Sequence, residues 1–235
     1  MALPSELVDE ILIYLQHDKQ ALWNCSLVEK SWTFLSQKRL FVSINLTPDI
    51  YKTWQEIASP TSAEVLQHVR TLTCLRFHSF GVLHGDYFKS LHRLQHLTLR
   101  DIARIESKTP NLFLAFQHTL SSLFLDHVSL TRSVFIGLVD CFPNLRELHF
   151  SKSSFKMDHF LVPPFSKPPR GKLCLSSLSA TDFGALSRGI AGLDLEYDKL
   201  EILNIFDTCH VQHIVSACKK NLTHLKVDLH DCEQR

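Results

Sequence analysis

Apolar residues recur along most of the chain in short groups of the form L-x-x-L-x-L. The groups begin at Leu72, Leu94, Leu120, Leu145, Leu200 and Leu222, and a weaker copy begins at Leu173 or Leu175. With Leu175 as its start, successive groups lie 22, 26, 25, 30, 25 and 22 residues apart. Seven copies at this spacing indicate a repeated structural unit rather than chance.

Each group ends in an alternation of apolar and polar residues, which is typical of a strand with one buried face. The segments between the groups carry apolar residues three and four positions apart, as amphipathic helices do. These segments are 85–94, 111–120, 131–142, 181–190 and 211–220. One strand and one helix cannot bury an apolar side alone, so neighbouring units must stack. The pattern predicts an α/β fold in which about seven irregular repeats, residues 69–235, form a curved parallel sheet backed by helices.

Residues 1–44 lack this repeat and predict three short helices at 4–15, 18–25 and 27–38. Pro4 suits a helix start because no N–H donor is needed there, and Glu6 suits the positive end of the helix dipole. The apolar residues of the first helix cover more than one face, and so short a unit cannot bury them all. An exposed apolar patch would bind a partner. Alternatively, the repeats cover the patch and the helices cap them. Physical reasoning favours neither.

Two segments of distinct composition lie outside these units. Residues 45–68 predict a structured linker: a helix at 48–59 is stopped by Pro60, and Thr61 with Glu64 forms a capping box for a second helix. Residues 157–172 hold four of the nine prolines, which predicts an extended surface loop within one repeat.

Composition and charge exclude several classes of protein. The chain has 25 Lys and Arg against 24 Asp and Glu, so its net charge of +1 does not favour nucleic acid or anionic lipid as a partner. No apolar run reaches about 18 residues, and the first ten residues are acidic where a secretory signal would be basic and then apolar. We therefore expect no membrane association and a location in the cytosol, the nucleus or both. The seven cysteines form no C-x-x-C pair and are expected to be reduced.

Motifs for catalysis, cofactors or metals are missing from the sequence. It holds no glycine-rich phosphate motif, no G-x-S-x-G and no H-E-x-x-H. Cys209, His210 and His213 lie close together near Asp207, but polar residues at a helix start explain them more simply than a metal site. We expect a protein that is not an enzyme and that uses no cofactor or metal.

A resemblance decides between the two interpretations of the N-terminal helices. Residues 3–41 match an F-box in order and spacing, and the chain resembles the F-box proteins that are expanded in fungal genomes. The matching positions are Leu3, Pro4, Glu6, Leu7, Ile11, Leu15, Asp18, Leu22, Cys25, Leu27, Val28, Ser31, Trp32, Leu40 and Phe41. Glu29 and Lys30 replace the usual Cys-Arg or Cys-Lys. The repeats resemble degenerate leucine-rich repeats, because Phe80, Ile102, Val128 and Ser153 stand where Asn or Cys is expected.

The resemblance implies a function. An F-box implies docking on a Skp-type adaptor of a cullin-based ubiquitin ligase, and leucine-rich repeats behind it imply recognition of a protein substrate. The expected adaptor contacts are Leu3, Pro4, Leu7, Ile11, Leu15, Leu22, Val28 and Trp32, some of which must instead hold the helices together. The alternative function is a non-ligase scaffold in which the helices mainly cap the repeats.

The expected substrate surface follows from strand geometry, because residues beside the buried leucines point away from the core. Its candidate residues are Arg76, Thr98, Arg100, Phe124, Asp126, Glu147, His149, Phe206 and Lys226, and Cys74 is expected on the same exposed face. Phe124 and Phe206 stand out because large aromatics on a polar face are typical of interface anchors. The alternative is that these two rings fold against neighbouring strands.

Overall fold

The computed structural model describes residues 3–57, 66–79, 88–105, 109–156, 173–175, 177–180, 195–197, 199–203 and 224–228. Within these ranges the chain is an α/β protein whose strands form a parallel sheet flanked by helices, as the sequence predicts. The helices are α1 (Ser5–Tyr14), α2 (Lys19–Ser26), α3 (Lys30–Leu40), α4 (Pro48–Ile57) and α5 (Arg132–Asp140), with a 3-10 helix at Thr109–Phe116. The strands are β1 (Ser43–Leu46), β2 (Thr71–Leu75), β3 (His96–Ile102), β4 (Ser122–Thr131), β5 (Glu147–Ser151), β6 (Ser154–Lys156), β7 (Leu173–Leu175), β8 (Ser177–Ala180), β9 (Leu195–Tyr197), β10 (Lys199–Leu203) and β11 (His224–Asp228).

The three predicted N-terminal helices are present close to their expected bounds. Pro4 immediately precedes α1, and its carbonyl accepts the Val8 N–H at 3.2 Å. Asp18 caps α2, because its Oδ1 accepts the Ala21 N–H at 2.9 Å. No side-chain cap starts α3, but Lys38 and Arg39 stand in its last turn, where the helix dipole favours positive charge.

The main sheet has its strands side by side in chain order, β1-β2-β3-β4-β5-β8-β10-β11, with β6 paired to β4. A second sheet pairs β7 with β9. The backbone repeats closely at the strand starts, where one carbonyl accepts two N–H groups of the next unit. These acceptors are Val42, Arg70, Gln95 and Ser121, and each of their bonds measures 2.8 to 3.0 Å. The repeat predicted from the sequence thus corresponds to a repeated backbone geometry.

The register corrects the predicted frame of the first unit. Leu72 pairs with Leu97, and Cys74 with Leu99, so the three apolar positions are Val69, Leu72 and Cys74 rather than Leu72, Leu75 and Phe77. Cys74 is fully buried, not exposed as predicted. The sequence pattern predicted the wrong frame because Val69 and Cys74, rather than leucines, fill two of the three core positions. An apolar group of the expected spacing also begins three residues later, at Leu72.

The later units show the same kind of correction. Leu178 pairs with Leu148 on one side and Leu200 on the other, so of the two alternatives for the weak copy, Leu175 with Leu178 holds in the main sheet. Leu200 is therefore the second apolar position of its unit and not the first. The row of His149 continues through Ser179 to Glu201, because these positions register with one another. The sequence pattern predicts Phe206 on the outward row of that unit, but β10 ends at Leu203 and Phe206 lies outside the described residues.

A strand that the sequence did not predict, β1, spans the boundary between residues 1–44 and the linker. Strand β1 pairs in parallel with β2 over four residues and forms one edge of the main sheet. Four residues, Ser-Ile-Asn-Leu, are too few to carry a recognisable alternation. The helix predicted from residue 48 is present as α4, and its Tyr51 packs edge-on against Phe77 at 6.1 Å between ring centroids.

The predicted repeat helices have mixed outcomes. Residues 131–142 contain α5, and the Thr131 side chain at its start accepts the Val134 N–H. Of the segment 111–120, residues 111–116 belong to the 3-10 helix. The segments 181–190 and 211–220, residues 85–87 of the segment 85–94 and the loop at 157–172 lie outside the described residues. Within 88–94, Phe88 alone is helical and the remaining residues are turns or irregular.

One large core lies between the sheet and the helices. Buried leucines from successive strands line it on the sheet side, and phenylalanines fill the space toward the helices. The rings of Phe113, Phe116 and Phe142 contact one another at centroid distances of 5.5 to 6.1 Å. Such offset aromatic contacts stabilise a core beyond the effect of burial alone.

Candidate binding surfaces

The three N-terminal helices have a small core of their own. Val8, Leu12 and Leu22 are fully buried, and Leu15 and Trp32 pack partly exposed against them. An ion pair crosses the outside of this core: Arg39 Nη2 of α3 donates to Asp9 Oδ1 of α1 at 2.8 Å and to the Asp9 carbonyl at 3.1 Å. The core shares no residue with the large core between sheet and helices. The helices are therefore held together by their own contacts.

The structure divides the predicted adaptor contacts into two sets. Leu22 is 0% exposed and holds the helices together, so its side chain presents nothing to a partner. Leu15 and Trp32 are intermediate, because each packs on the small core with one side. The exposed members are Leu3, Pro4, Leu7, Ile11 and Val28. Sequence reasoning could not make this division, because the apolar residues of α1 cover more than one face.

Helix α1 presents an apolar stripe beside the face that packs into its core. Leu7, Ile11 and Tyr14 are three or four residues apart and so lie on one helix face. They are 47%, 41% and 88% exposed. Val8 and Leu12, each one residue further along, turn by about 100° into the small core. We call Leu7, Ile11 and Tyr14 the apolar stripe.

Further exposed apolar residues were absent from the predicted contacts. Trp23, Leu27 and Phe34 are 53%, 70% and 56% exposed. The exposure of Trp23 follows from its position on α2. Leu22 and Ser26 form the buried face of this helix, and Trp23 lies beside that face. The exposed apolar area of the three-helix unit is therefore larger than the sequence indicated.

Few contacts join the three-helix unit to the sheet. The ring of Phe34 meets His68 edge-on at 5.6 Å between centroids, and Lys19 Nζ donates to the Ser43 carbonyl at 3.5 Å. Neither contact covers the apolar stripe, whose residues remain exposed. Among the described residues, the sheet thus leaves this apolar face of the helices open.

On the other side of the sheet from the core, side chains form rows that follow the strand register. We call this side the outward face. The first row holds Thr71, His96, Ser122 and Glu147, the second holds Thr73, Thr98, Phe124 and His149, and the third holds Leu75, Arg100, Asp126 and Ser151. Six of the nine predicted substrate residues belong to these rows. Ser122 is the one buried member, and its Oγ donates to the side chain of Glu147.

Three pairs of side chains, two polar and one aromatic, join neighbouring strands on the outward face. Ser122 Oγ donates to Glu147 Oε2 at 2.6 Å, and Arg100 Nε donates to Asp126 Oδ2 at 2.8 Å.

Between these polar pairs lies an aromatic pair. The rings of Phe124 and His149 stack with centroids 4.0 Å apart and planes at 5°. Because the partners of all three pairs occupy registered positions, the pairs contribute to sheet stability and fix the shape of the surface.

A row of left-handed residues follows the third row. Arg76, Asp101, His127 and Lys152 have φ of 60°, 54°, 52° and 45°, occupy equivalent positions in four successive units, and are all exposed. His127 Nδ1 lies 3.4 Å from Asp126 Oδ1 and 3.7 Å from Asp101 Oδ1.

The register shifts Arg76 from its predicted place, because it aligns with Asp101 rather than with Thr98. Arg76 therefore stands at the edge of the outward face. The remaining two predicted substrate residues, Phe206 and Lys226, lie outside the part of the chain whose side chains the structure describes.

The position that carries Asn or Cys in regular leucine-rich repeats is apolar in three units. With the frame corrected, these residues are Phe77, Ile102 and Val128, all buried. The fourth, Ser153, bridges two units: its Oγ accepts the Val128 N–H at 2.9 Å and lies 3.2 Å from the Leu125 carbonyl. Of these four positions, the one at Ser153 thus carries a side chain that forms hydrogen bonds between units.

The described residues contain no group of three or more His, Cys, Asp or Glu side chains that could hold a metal ion. Cys209, His210 and His213 lie outside them. No helix within the described ranges is both long and apolar enough to cross a membrane.

Comparison with known proteins finds no family model that matches the chain, and no curated protein matches it.

Proposed function

We propose that this protein is a substrate receptor of a cullin-based ubiquitin ligase, with an F-box at residues 1–44 and a leucine-rich-repeat-like solenoid behind it. The three helices would bind a Skp-type adaptor, and the outward face of the sheet would bind the protein to be ubiquitinated. The observation that carries the proposal is the apolar stripe on a helical unit with its own core.

The exposed area favours docking over a role as a cap. A cap would place its apolar residues against the first strand, yet Leu7, Ile11 and Val28 remain 41% to 69% exposed. Apolar groups that stay in contact with water contribute nothing to stability, whereas their burial against a partner contributes about 25 cal/mol for each Å². Exposed apolar clusters of this kind mark interaction sites.

The outward face supports the receptor half of the proposal. It combines an aromatic pair with both signs of charge, and its side chains are held in place by cross-strand contacts. Protein interfaces favour such aromatic residues, and a prearranged surface loses less conformational entropy on binding.

The alternative function is a scaffold that acts without a ligase. Phe34 and Lys19 do attach the helical unit to the start of the sheet, as a cap would require. These contacts leave the apolar stripe open, so a cap role and an adaptor role are compatible. What separates the two functions is the adaptor itself.

Size-exclusion chromatography with light scattering tests the proposal. The full chain, mixed with a Skp-type adaptor at micromolar concentration, should elute as a one-to-one complex. Addition of the cullin and its RING partner should shift that complex to a larger assembly. A folded chain that elutes separately from the adaptor would overturn the proposal and leave the scaffold. An adaptor complex that excludes the cullin would overturn only the ligase role.

A further inference from the structure

Three cationic side chains gather where the three-helix unit meets the start of the sheet. Arg70 directly precedes β2, Arg93 lies three residues before β3, and Lys38 stands in the last turn of α3. Arg70 Nη1 donates to the Arg93 carbonyl at 3.2 Å. The register of β2 with β3 places His68 level with Arg93, and the ring of His68 contacts Phe34, one helical turn before Lys38. We call Lys38, Arg70 and Arg93 the basic cluster.

The charges of the basic cluster lie close together and have no opposite charge to balance them. Burial lowers the pKa of His68, and the positive charges of Lys38, Arg93 and Arg70 lower it further, so all three act on one imidazole. Among the described residues, none of the three forms an ion pair. Lys38 and Arg93 are exposed, and Arg70 is half-buried. Like charges held together destabilise the folded chain, and a bound anion relieves that repulsion.

The basic cluster occupies a short part of the sheet edge at which the strands start. The equivalent positions in the following two units carry uncharged side chains, namely Gln95, Thr119, Ser121 and Asn144. Since neighbouring strands lie about 4.8 Å apart, the cluster spans on the order of 10 Å. A nucleic acid needs a longer basic surface, because its affinity comes from many phosphate contacts. The cluster instead suits a ligand with two or three negative charges.

Carboxylates on a peptide match the donors of the cluster. A guanidinium group presents a planar fork that pairs with a carboxylate through two parallel hydrogen bonds. Because Arg70 contacts the backbone of Arg93, the two guanidinium groups extend from neighbouring points of the edge. Alternate side chains of an extended segment lie about 7 Å apart on one side, so two acidic residues can reach both forks. A single small anion has one centre of charge and would leave part of the cluster unbalanced.

We propose that Lys38, Arg70 and Arg93 bind an acidic segment of a partner protein, one that carries two or three closely spaced Asp or Glu residues. The basic cluster shares no residue with the apolar stripe or with the rows of the outward face. This interaction therefore goes beyond the proposed function and does not depend on it.

Subtractive peptide selection provides the first test. A phage-displayed library of random dodecapeptides is first depleted on a full-length double variant, Arg70→Gln with Arg93→Gln, and then panned on the unmodified full chain. Depletion removes peptides that bind elsewhere, such as at the apolar stripe. The selection is run at about pH 8, where histidines are largely uncharged. The retained peptides should be enriched in two or more Asp or Glu within five positions.

Binding measurements with a synthesised peptide locate the effect. An amide twin, in which Asn replaces each Asp and Gln each Glu, should raise the Kd about tenfold or more. Arg70→Gln and Arg93→Gln should each weaken the acidic peptide about fourfold, and Lys38→Gln about threefold, while the amide twin changes less than twofold. The matched controls remove one exposed cation elsewhere: Lys30→Gln at the other end of α3, and Arg104→Gln beyond β3. Both should leave the Kd within about 1.5-fold. Unchanged melting temperatures establish that each variant is folded.

Four results would overturn the inference. Three concern the peptides: retained sequences without acidic enrichment, an amide twin bound as tightly as the acidic peptide, or Lys30→Gln weakening the acidic peptide as much as Arg93→Gln does. The fourth concerns the class of partner. A single-stranded DNA 12-mer that binds more tightly than the acidic peptide, and loses affinity in the same arginine variants, would assign the basic cluster to a nucleic acid.

Discussion

The imidazole of His68 lies edge-on against the ring of Phe34, with centroids 5.6 Å apart and planes at 77°. Phe34 belongs to α3 and His68 lies three residues before β2, so this contact joins the three-helix unit to the sheet. Burial lowers the pKa of His68 below its ordinary value of 6.5, and the positive charges of Lys38, Arg93 and Arg70 lower it further. His68 Nε2 is enclosed and has no hydrogen-bond partner within the described residues. The environment of this contact thus favours the neutral form of the His68 imidazole.

This arrangement predicts a loss of stability in mild acid. As pH falls below 6.5, the unfolded chain takes up a proton on His68 before the folded chain does, so the free energy of unfolding decreases toward the lower, folded-state pKa. Above 6.5 the contribution is fully present. Urea unfolding between about pH 7.5 and 5 should show a shallower pH dependence for His68→Gln than for the unmodified protein. His17→Gln, at an exposed turn, should keep the original slope. A His68→Gln slope equal to that of the unmodified protein would contradict the account.

Cys74 tests the corrected frame of the first repeat. Its side chain occupies the core position that Leu99 and Leu125 occupy in the next units, and burial raises the pKa of its thiol far above the ordinary value. Cys74→Ser should lower the free energy of unfolding by about 1 to 3 kcal/mol, because a buried hydroxyl without a partner loses its hydration. Cys74→Val should cost less than about 1.5 kcal/mol. Urea denaturation compares them, and a Ser variant as stable as the Val variant would place residue 74 on the surface.

Much of the fold could be predicted from the sequence because leucine spacing reports the buried face of each strand. That signal weakened where other residues fill the same positions. Val69 and Cys74 took the place of leucines in the first unit, and the predicted frame moved three residues toward Leu75 and Phe77. The short strand β1 escaped detection because four residues show too little alternation.

The sequence predicted which residues lie on the candidate surfaces, but it did not predict which of their side chains contact one another. Alternation along the strands predicted that Phe124 and His149 point outward, yet the stack between them depends on the register of β4 with β5, which the leucine pattern fixes only after the strands are aligned. In the helices, Leu7 and Leu22 look alike in sequence. Tertiary packing alone decides that one is exposed and the other is buried.

Arg76 tests the row of left-handed residues. Its φ of 60° is unfavourable for side chains branched at Cβ, whereas asparagine tolerates this region. Arg76→Asn should leave the free energy of unfolding unchanged or raise it slightly, and Arg76→Val should lower it by about 1 to 2 kcal/mol. Thermal or urea unfolding measures both. If the Val variant equals or exceeds the Asn variant in stability, the backbone at this position is not left-handed.

Replacing Ser153 tests the buried hydrogen bond that its side chain makes to the neighbouring unit. Its Oγ accepts the N–H of Val128 at 2.9 Å in a buried position, so Ser153→Ala leaves that N–H without a partner. The expected loss of stability is about 1 to 3 kcal/mol. The control is Ser121→Ala, because Ser121 Oγ donates to the Gln95 carbonyl at 3.2 Å where water can replace it, and its expected cost is below about 0.5 kcal/mol. Equal costs for the two variants would show that the Ser153 bond adds nothing.

The central claim is that the apolar stripe of α1 binds a Skp-type adaptor, and isothermal titration calorimetry with a matched set of variants tests it most directly. Leu7→Ala combined with Ile11→Ala truncates two exposed side chains while alanine preserves the helix. Ile13→Ala is the control, because Ile13 is also exposed on α1, at 45%, but lies about 200° around the helix axis from Ile11. The account predicts that the double variant raises the adaptor Kd roughly thirtyfold or more and that Ile13→Ala leaves it within about threefold. A double variant that stays folded and binds the adaptor as tightly as the unmodified protein would contradict it.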